Sequence, residues 1–320
     1  MNTSRLRDCL EAWQIPIYLL AIVLALIASS ATSSLAFVPF TLEPALAFML
    51  FVTFLPLPMG ELRRALHNYR FLSAVLITNF VLVPLLVFAL LPVLPADPIL
   101  LGGALLVLLT PCIDYVVTFA QLGRADSRAL LASTPVLLLL QMLLLPVYME
   151  LFLSSHNFFS MQWDVFLHAF FYLIILPLLL AMLCQQWAIR SGTGRRLTLV
   201  LSLLPVPATA LVLFLVVLTA MTQLQQAIDT ALAVLPAYIL FAIIAPCLAL
   251  LLAYFWGLSA AQARAVAFSG ATRNSLVVLP LGLAIPQLAS TVAVVIVTQT
   301  LIELLSQLFY IRLMPRFGRT

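Results

Sequence analysis

Three ionisable side chains sit inside long apolar runs of this sequence: Asp114, Arg273 and Glu303. A charge at membrane depth is costly, so each marks a candidate site. Asp114 lies just beyond Pro111 in LLTPCIDYVVTFAQLGRAD (108–126), and Arg273 lies within AFSGATRNSLVVLPLGLAIP (267–286). An ion pair between them either ties two chain segments together or binds substrate. Glu303 belongs to a stripe in which Gln299, Glu303, Gln307 and Tyr310 recur at intervals of four, four and three. That spacing lines one face of a helix, which should turn inward. Glu303 has no evident partner in its own helix. A carboxyl group held there either exchanges protons or hydrogen-bonds a broken backbone end.

Cys112 follows Pro111 directly, and Asp114, Thr118 and Gln121 come after it at helical spacing on a shared face. A thiol in that position either fills space or binds a soft, thiophilic solute. Cys9, Cys184 and Cys247 read as small apolar filler. With no C-x-x-C pair, neither a disulfide framework nor a metal site is expected. His67, His156 and His168 fall at loops or helix ends. No H-E-x-x-H, G-x-S-x-G or Gly-rich nucleotide loop occurs, so neither an enzyme nor a bound cofactor is expected. Without a nucleotide site, any transport has to be driven by an ion gradient.

The elements that hold these residues follow from composition. The chain has 320 residues, 64% hydrophobic and 8% charged, with a mean hydropathy of +1.19. Soluble domains carry about 25% charged residues, so a cytosolic enzyme, a disordered protein and a nucleic-acid binder are excluded. A membrane-spanning helix needs about 20 apolar residues. Ten such spans fit, near 15–36, 44–59, 71–92, 98–122, 130–153, 164–187, 197–219, 231–256, 261–284 and 289–311. Ser34-Leu35-Ala36 resembles a small-residue cleavage site, but Asp8 and Glu11 upstream and the repeat described below favour a retained first helix.

All fifteen basic residues are arginine. Arg5, Arg7, Arg63, Arg64, Arg70, Arg124, Arg128, Arg190, Arg195, Arg196, Arg264, Arg312, Arg316 and Arg319 fall at the termini or on alternate connectors. The opposite connectors carry Glu43, Asp97, Asp164 and Asp229 and no arginine. By the positive-inside rule both termini are cytoplasmic, as expected of a multi-pass protein of a bacterial inner membrane. Arg273 alone departs from the pattern.

Prolines repeat between the halves. Pro56 and Pro58 answer Pro205 and Pro207 in the same P-x-P spacing, and Pro84 answers Pro246. Five spans per half would give the halves opposite orientation, the inverted repeat of secondary transporters. The expected fold is therefore an all-α polytopic membrane protein, one transporter domain with repeats at 13–155 and 162–312. Spans 4 and 9 should be broken: the first at Pro111, the second by Gly270, the polar run Thr272-Arg273-Asn274-Ser275 and Pro280. Unwound backbone inside a bilayer needs a protein or polar surround, so the two breaks should meet in the interior.

These residues resemble the bile acid:sodium symporter superfamily, and within it the arsenite-efflux branch of arsenical-resistance permeases. The resemblance covers nearly the whole chain. It rests on Pro111-Cys112 followed by Leu122 and Asp126, and on Thr298-Gln299-Thr300-Leu301-Ile302-Glu303. It implies a panel domain of spans 1, 2, 6 and 7 and a core domain of spans 3–5 and 8–10, with spans 4 and 9 crossing. Asp114 stands where that branch has a small residue. Arg273-Asn274-Ser275 resembles the Q-N-S segment of the sodium-coupled branch, with arginine in place of glutamine. The acidic sodium ligand of that branch, four residues earlier, corresponds to Ser269.

The resulting expectation is a secondary transporter that exports arsenite or antimonite by proton antiport. Cys112, Asp114, Thr118, Gln121, Arg273, Asn274, Ser275, Gln299 and Glu303 form its candidate substrate- and ion-binding set. The alternative is an ion-coupled symporter of a small organic anion, with Arg273 as counter-charge. A non-transporting receptor would not need two mid-membrane breaks. Sodium coupling is disfavoured: unit charges 4 Å apart repel by about 4 kcal/mol at an effective dielectric of 20, close to a thousandfold in affinity.

Overall fold

The computed structural model of the chain describes residues 3–31, 38–56, 68–113, 115–153, 167, 170–220, 224–284 and 291–316. Ser34-Leu35-Ala36, Pro58, Arg63, Arg64, Asp114, the three histidines, Asp164 and Arg319 lie outside them. Among the described residues the regular structure is helical, apart from one isolated antiparallel bridge between Pro111 and Arg273.

The chain begins with α1 (Thr3–Ala12), α2 (Gln14–Ala31) and α3 (Val38–Phe54). Helix α4 (Tyr69–Ile77) passes through a π turn at Thr78–Leu82 into α5 (Val83–Leu90). Pro84 explains the irregularity, because it has no N–H to offer the carbonyl of Phe80 four residues back. The Tyr148 hydroxyl donates to that carbonyl instead, at 2.6 Å. Asp97 caps α6 (Pro98–Leu108) by accepting from the amides of Ile99 and Leu100. After a non-helical break come α7 (Tyr115–Leu122) and α8 (Ser127–Leu153).

A second π turn, Phe171–Ile175, leads into α9 (Leu176–Arg190), again two residues ahead of a proline, Pro177. Next are α10 (Gly192–Leu201), α11 (Pro205–Ala220) and α12 (Leu224–Phe255). Ser259 and Gln262 form a capping box that starts α13 (Ala260–Ala271). Another break precedes α14 (Ser275–Ala284), and α15 (Val292–Leu313) ends in a 3₁₀ turn at Met314–Arg316.

Among the described residues, four stretches are long and apolar enough to cross a bilayer unaided: Tyr69–Leu90, Ser127–Leu153, Ile228–Phe255 and Val292–Arg316. Gly192–Leu201 with Pro205–Leu218 forms a fifth if the pair, bent by 44°, counts as one span. On these helices Leu143, Leu151, Ile243, Leu251 and Phe255 are more than half exposed. So much exposed apolar surface on long helices is stable against lipid, not water.

The chain divides into two compact units. The first comprises Met1–Leu57, Gln162–Asp229 and Leu279–Val297. Within it α11 packs on α2 and α3, and α9 packs on α3 and α10. Gln185 of α9 donates to the Leu55 carbonyl at the end of α3, at 2.7 Å. The second unit comprises Pro58–Met161, Thr230–Val278 and Thr298–Thr320. At its centre α13 packs against α4, the first π turn, α7 and α8. Gly270 makes this approach possible: a Cβ there would lie 2.7 Å from Thr78 Cγ2 and 3.1 Å from Ala249 Cβ.

Candidate functional site

The two breaks meet, as expected from Pro111 and the polar run at 272–275. Thr110 precedes a proline, which disfavours helical backbone at that residue, and α6 ends at Leu108. The exposed backbone groups then pair across the breaks. Cys112 N donates to Thr272 O at 3.1 Å, and Asn274 N donates to Thr110 O at 2.9 Å. The second break is narrower than the sequence indicates. Gly270 lies inside α13 and Pro280 inside α14, and only Thr272–Asn274 are unwound. Gly270 serves close packing, and α14 runs through Pro280, its sixth residue, at the loss of the bond that the Leu276 carbonyl would accept.

The stripe of α15 faces inward: Gln299, Glu303, Gln307 and Tyr310 are all buried. Glu303 reaches the second break. Its Oε2 accepts from Arg273 N and from Gln299 Nε2, both at 2.6 Å. It therefore does have a partner in its own helix, the amide one turn earlier. Its Oε1 lies 2.7 Å from the Tyr115 hydroxyl, which also lies 2.9 Å from the Arg273 carbonyl. Gln307 Nε2 donates to Thr272 Oγ1 at 2.9 Å, and Ser275 Oγ and Thr300 Oγ1 share a hydrogen bond at 3.0 Å. Tyr310 donates to the Ala242 carbonyl of α12.

Arg273 is fully buried. Its Nη2 donates to Asn79 Oδ1 and Ser269 O, both at 2.7 Å, and to Gly270 O at 2.9 Å. Among the described residues Nη1 has a 3.4 Å contact to Leu108 O, and Nε has no partner. The guanidinium carbon stands 5.5 Å from the centre of the Phe241 ring, a cation–π distance. Among the described residues no carboxylate pairs with it. The expected partner, Asp114, lies outside them.

The second unit thus gathers Cys112, Arg273, Asn274, Ser275, Gln299 and Glu303 around one junction. Thr118 and Gln121 sit further along α7, half-buried and exposed, and no hydrogen bond joins their side chains to the junction among the described residues. Cys112 is buried, whereas Cys9 and Cys247 are exposed. Asn274 Nδ2, Gln299 Oε1 and Gln307 Oε1 are buried without a partner among the described residues. Such atoms are uncommon in folded interiors and each calls for a reason.

Asn79 and Tyr115 are members of the junction that sequence reasoning passed over. Asn79 had a signal, an amide within the apolar run LITNFVLVP. Its Nδ2 donates to Val75 O and Ser269 Oγ, at 2.9 and 2.8 Å, which turns its oxygen toward Arg273. Tyr115 had none, because its role depends on the fold bringing α15 alongside.

Long lipid-facing helices around a buried junction of polar side chains define a multi-pass membrane protein with a solute- or ion-handling interior. The model of the Sodium Bile acid symporter family matches residues 43–230, more than half of the chain, and the chain belongs to that family. This is a family of ion-coupled transporters, not of enzymes. No curated protein matches the chain.

Proposed function

We propose that the chain is a secondary transporter of the bacterial inner membrane that carries arsenite outward in exchange for protons, with Glu303 as the proton carrier. The observation that carries this reading is a proton count at Tyr115. Its hydroxyl has one proton, and among its neighbours are two oxygens, Arg273 O at 2.9 Å and Glu303 Oε1 at 2.7 Å. A carbonyl only accepts. Both contacts are hydrogen bonds at once when Tyr115 donates to the carbonyl and a protonated Glu303 donates to Tyr115. An ionised Glu303 would compete with the carbonyl for the same proton. The junction thus has a geometry suited to each form of the carboxyl group, with Tyr115 as the part that changes partner.

For the solute, the support is Cys112 together with the unpartnered polar atoms of Asn274 and Gln299 in the same unit. Arsenite is largely an uncharged hydroxide at neutral pH. It offers soft arsenic to one thiol, and hydroxyls that both donate and accept, which suits Asn274 Nδ2 and Gln299 Oε1. A single soft ligand allows release where a cage of thiols would hold too tightly. The family name favours a second reading, an ion-coupled symporter of an organic anion. The burial of Arg273 and its three oxygen partners speak against that side chain as the anion's counter-charge.

We read the architecture as ten spans in two inverted five-span repeats, with a panel and a core and with spans 4 and 9 crossing. The division into units supports this. The first unit holds the segments of spans 1, 2, 6 and 7, and the second most of spans 3–5 and 8–10. The arginine alternation supports a cytoplasmic position for both termini. In a cysteine-free background, cysteines at Asp97 and Asp229 are labelled by a membrane-impermeant maleimide from the periplasm, and one at Arg195 is not. Periplasmic labelling at Arg195 overturns the orientation.

The coupling is tested in everted vesicles. An imposed acid-inside gradient drives accumulation of arsenite, and replacing sodium by choline leaves the rate unchanged. Strict dependence on sodium overturns proton coupling. Accumulation of small organic anions without arsenite or antimonite overturns the solute. Tyr115→Phe keeps the ring and its edge contact with Phe119 but removes the exchangeable hydrogen bond. The initial rate falls about tenfold, as for loss of one buried hydrogen bond, and its pH profile shifts. An unchanged rate and profile would remove Tyr115 from the mechanism.

A further inference from the structure

We infer that Gln141 is the counterpart of Glu303 at the first break and forms a neutral hydrogen-bonding subsite there, which takes a hydroxyl of an uncharged solute. The relation between the two residues starts from two tyrosines. Pro84 leaves the Phe80 carbonyl without its helical donor, and Tyr148 of α8 donates to it. Pro246 does the same to the Ala242 carbonyl, and Tyr310 of α15 donates to that one. A single shift of 162 positions carries Phe80, Pro84 and Tyr148 onto Ala242, Pro246 and Tyr310. The same shift exchanges the two bonds across the breaks, Cys112 N to Thr272 O and Asn274 N to Thr110 O. It also sets Pro111 on Arg273, the two residues of the isolated bridge. The centre of the second unit is thus related to itself by a two-fold that passes through that bridge.

The shift brings Gln141 of α8 onto Glu303 of α15. Helix α8 packs against α6 and α7, the helices on either side of the first break. Gln141 is only 1% exposed, and neither its Oε1 nor its Nε2 has a partner among the described residues. The two-fold accounts for this contact by contact. Glu303 accepts from Arg273 N and Gln299 Nε2 and adjoins the Tyr115 hydroxyl. The residues that correspond to those three are Pro111, Leu137 and Val277, a proline without an N–H and two apolar side chains. A buried amide unpaired at both ends is unfavourable, and the imbalance is relieved when a group brought to the site bonds it. The amide carries no charge and has a donor and an acceptor side by side. A hydroxyl offers the complementary pair. Cys112 is buried at the same break, next to Pro111, so a solute held on its sulfur presents hydroxyls to this position.

This deepens the proposed solute and rests on that reading, but its test measures binding and stability, not transport. The full chain is purified in detergent as wild type and as Gln141→Leu, and unfolding temperatures are measured with and without sodium arsenite at neutral pH. Without solute, Gln141→Leu unfolds at or above the wild-type temperature, because an apolar side chain of similar size replaces two unpaired polar atoms. Arsenite then binds the variant about tenfold more weakly, the scale of a lost pair of neutral hydrogen bonds, and raises its unfolding temperature less. Gln141→Met repeats the comparison with an unbranched side chain. If the amide only supports the fold, both variants are destabilised and bind arsenite as wild type does, and that result overturns the inference. Equal affinity at unchanged stability overturns it too. Boric acid, a neutral trihydroxide without a soft atom, separates this failure from that of the proposed function. If wild type ignores arsenite and antimonite, yet boric acid stabilises it more than Gln141→Leu, the arsenite reading falls and the subsite stands. If none of these hydroxides distinguishes the two proteins, the subsite falls.

Discussion

Glu303→Gln abolishes net proton-driven accumulation in everted vesicles, lowering the initial rate by about a hundredfold or more, yet leaves solute-for-solute exchange in place. The expectation follows from what each oxygen of Glu303 touches. Glutamine has the same shape, its carbonyl oxygen can accept from Arg273 N and Gln299 Nε2, and its amide N–H can donate to Tyr115. It therefore copies the protonated carboxyl, and the junction keeps its hydrogen bonds. What it cannot do is release the proton. A carrier locked in that form still shuttles loaded solute in both directions but cannot couple it to a gradient. Proton transfer by a positioned group is worth about 10²–10⁴-fold in rate, which sets the scale. Glu303→Ala also strips partners from a buried amide and a buried hydroxyl, at about 1–3 kcal/mol each, and so lowers the yield of folded protein. Net accumulation in Glu303→Gln at the wild-type rate would assign the proton elsewhere.

Cys112→Ser removes arsenite resistance from a sensitive host, at least tenfold in the tolerated concentration, with expression unchanged. The side chain is fully buried, but the backbone at this position is held by the bond from Cys112 N to Thr272 O, independent of the sulfur. Serine thus keeps the local fold and nearly the size while replacing a soft donor by a hard one. The same change at Cys9, Cys184 or Cys247 leaves resistance within about twofold. Those side chains are exposed or partly exposed, and the packing cost of a surface substitution is small. Full resistance in Cys112→Ser would leave the cysteine as filler and favour the organic-anion reading.

Much of this was legible in the chain itself. The breaks follow from local rules, a proline without an N–H and a run of four polar residues in an apolar span, and both occur where those rules put them. The inward stripe of α15 follows from helical periodicity alone. Asn79 left a signal, an amide in an apolar run, but neither its role nor that of Tyr115 was legible, because each acts through distant partners, among them Ser269 at 190 and Glu303 at 188 residues' separation. The extent of the second break was misjudged for a related reason. Gly270 and Pro280 each read as helix breakers in isolation, yet Gly270 lies where two helices need room, and α14 runs through Pro280 from Ser275 to Ala284. Arg273 was expected to pair with a carboxylate. Among the described residues its closest partners are the Asn79 side-chain oxygen and the backbone carbonyls of Ser269 and Gly270, and a backbone carbonyl is something any segment of chain supplies and no residue pattern reveals.

The pairing of the two breaks through their own backbones limits how this interior can move. Parting Thr110–Cys112 from Thr272–Asn274 would leave two amides and two carbonyls exposed where no water replaces the lost bonds, at about 1–3 kcal/mol for each group. Nothing comparable resists moving both segments together. Exposing a solute first to one face of the membrane and then to the other therefore cannot proceed by unfastening this joint. On the proposed transport reading the joint would move whole, with Glu303 and Arg273 aboard. A lesion in either break is then felt by both: distorting Pro111 should disturb the groups around Arg273 as surely as a change at Arg273 itself.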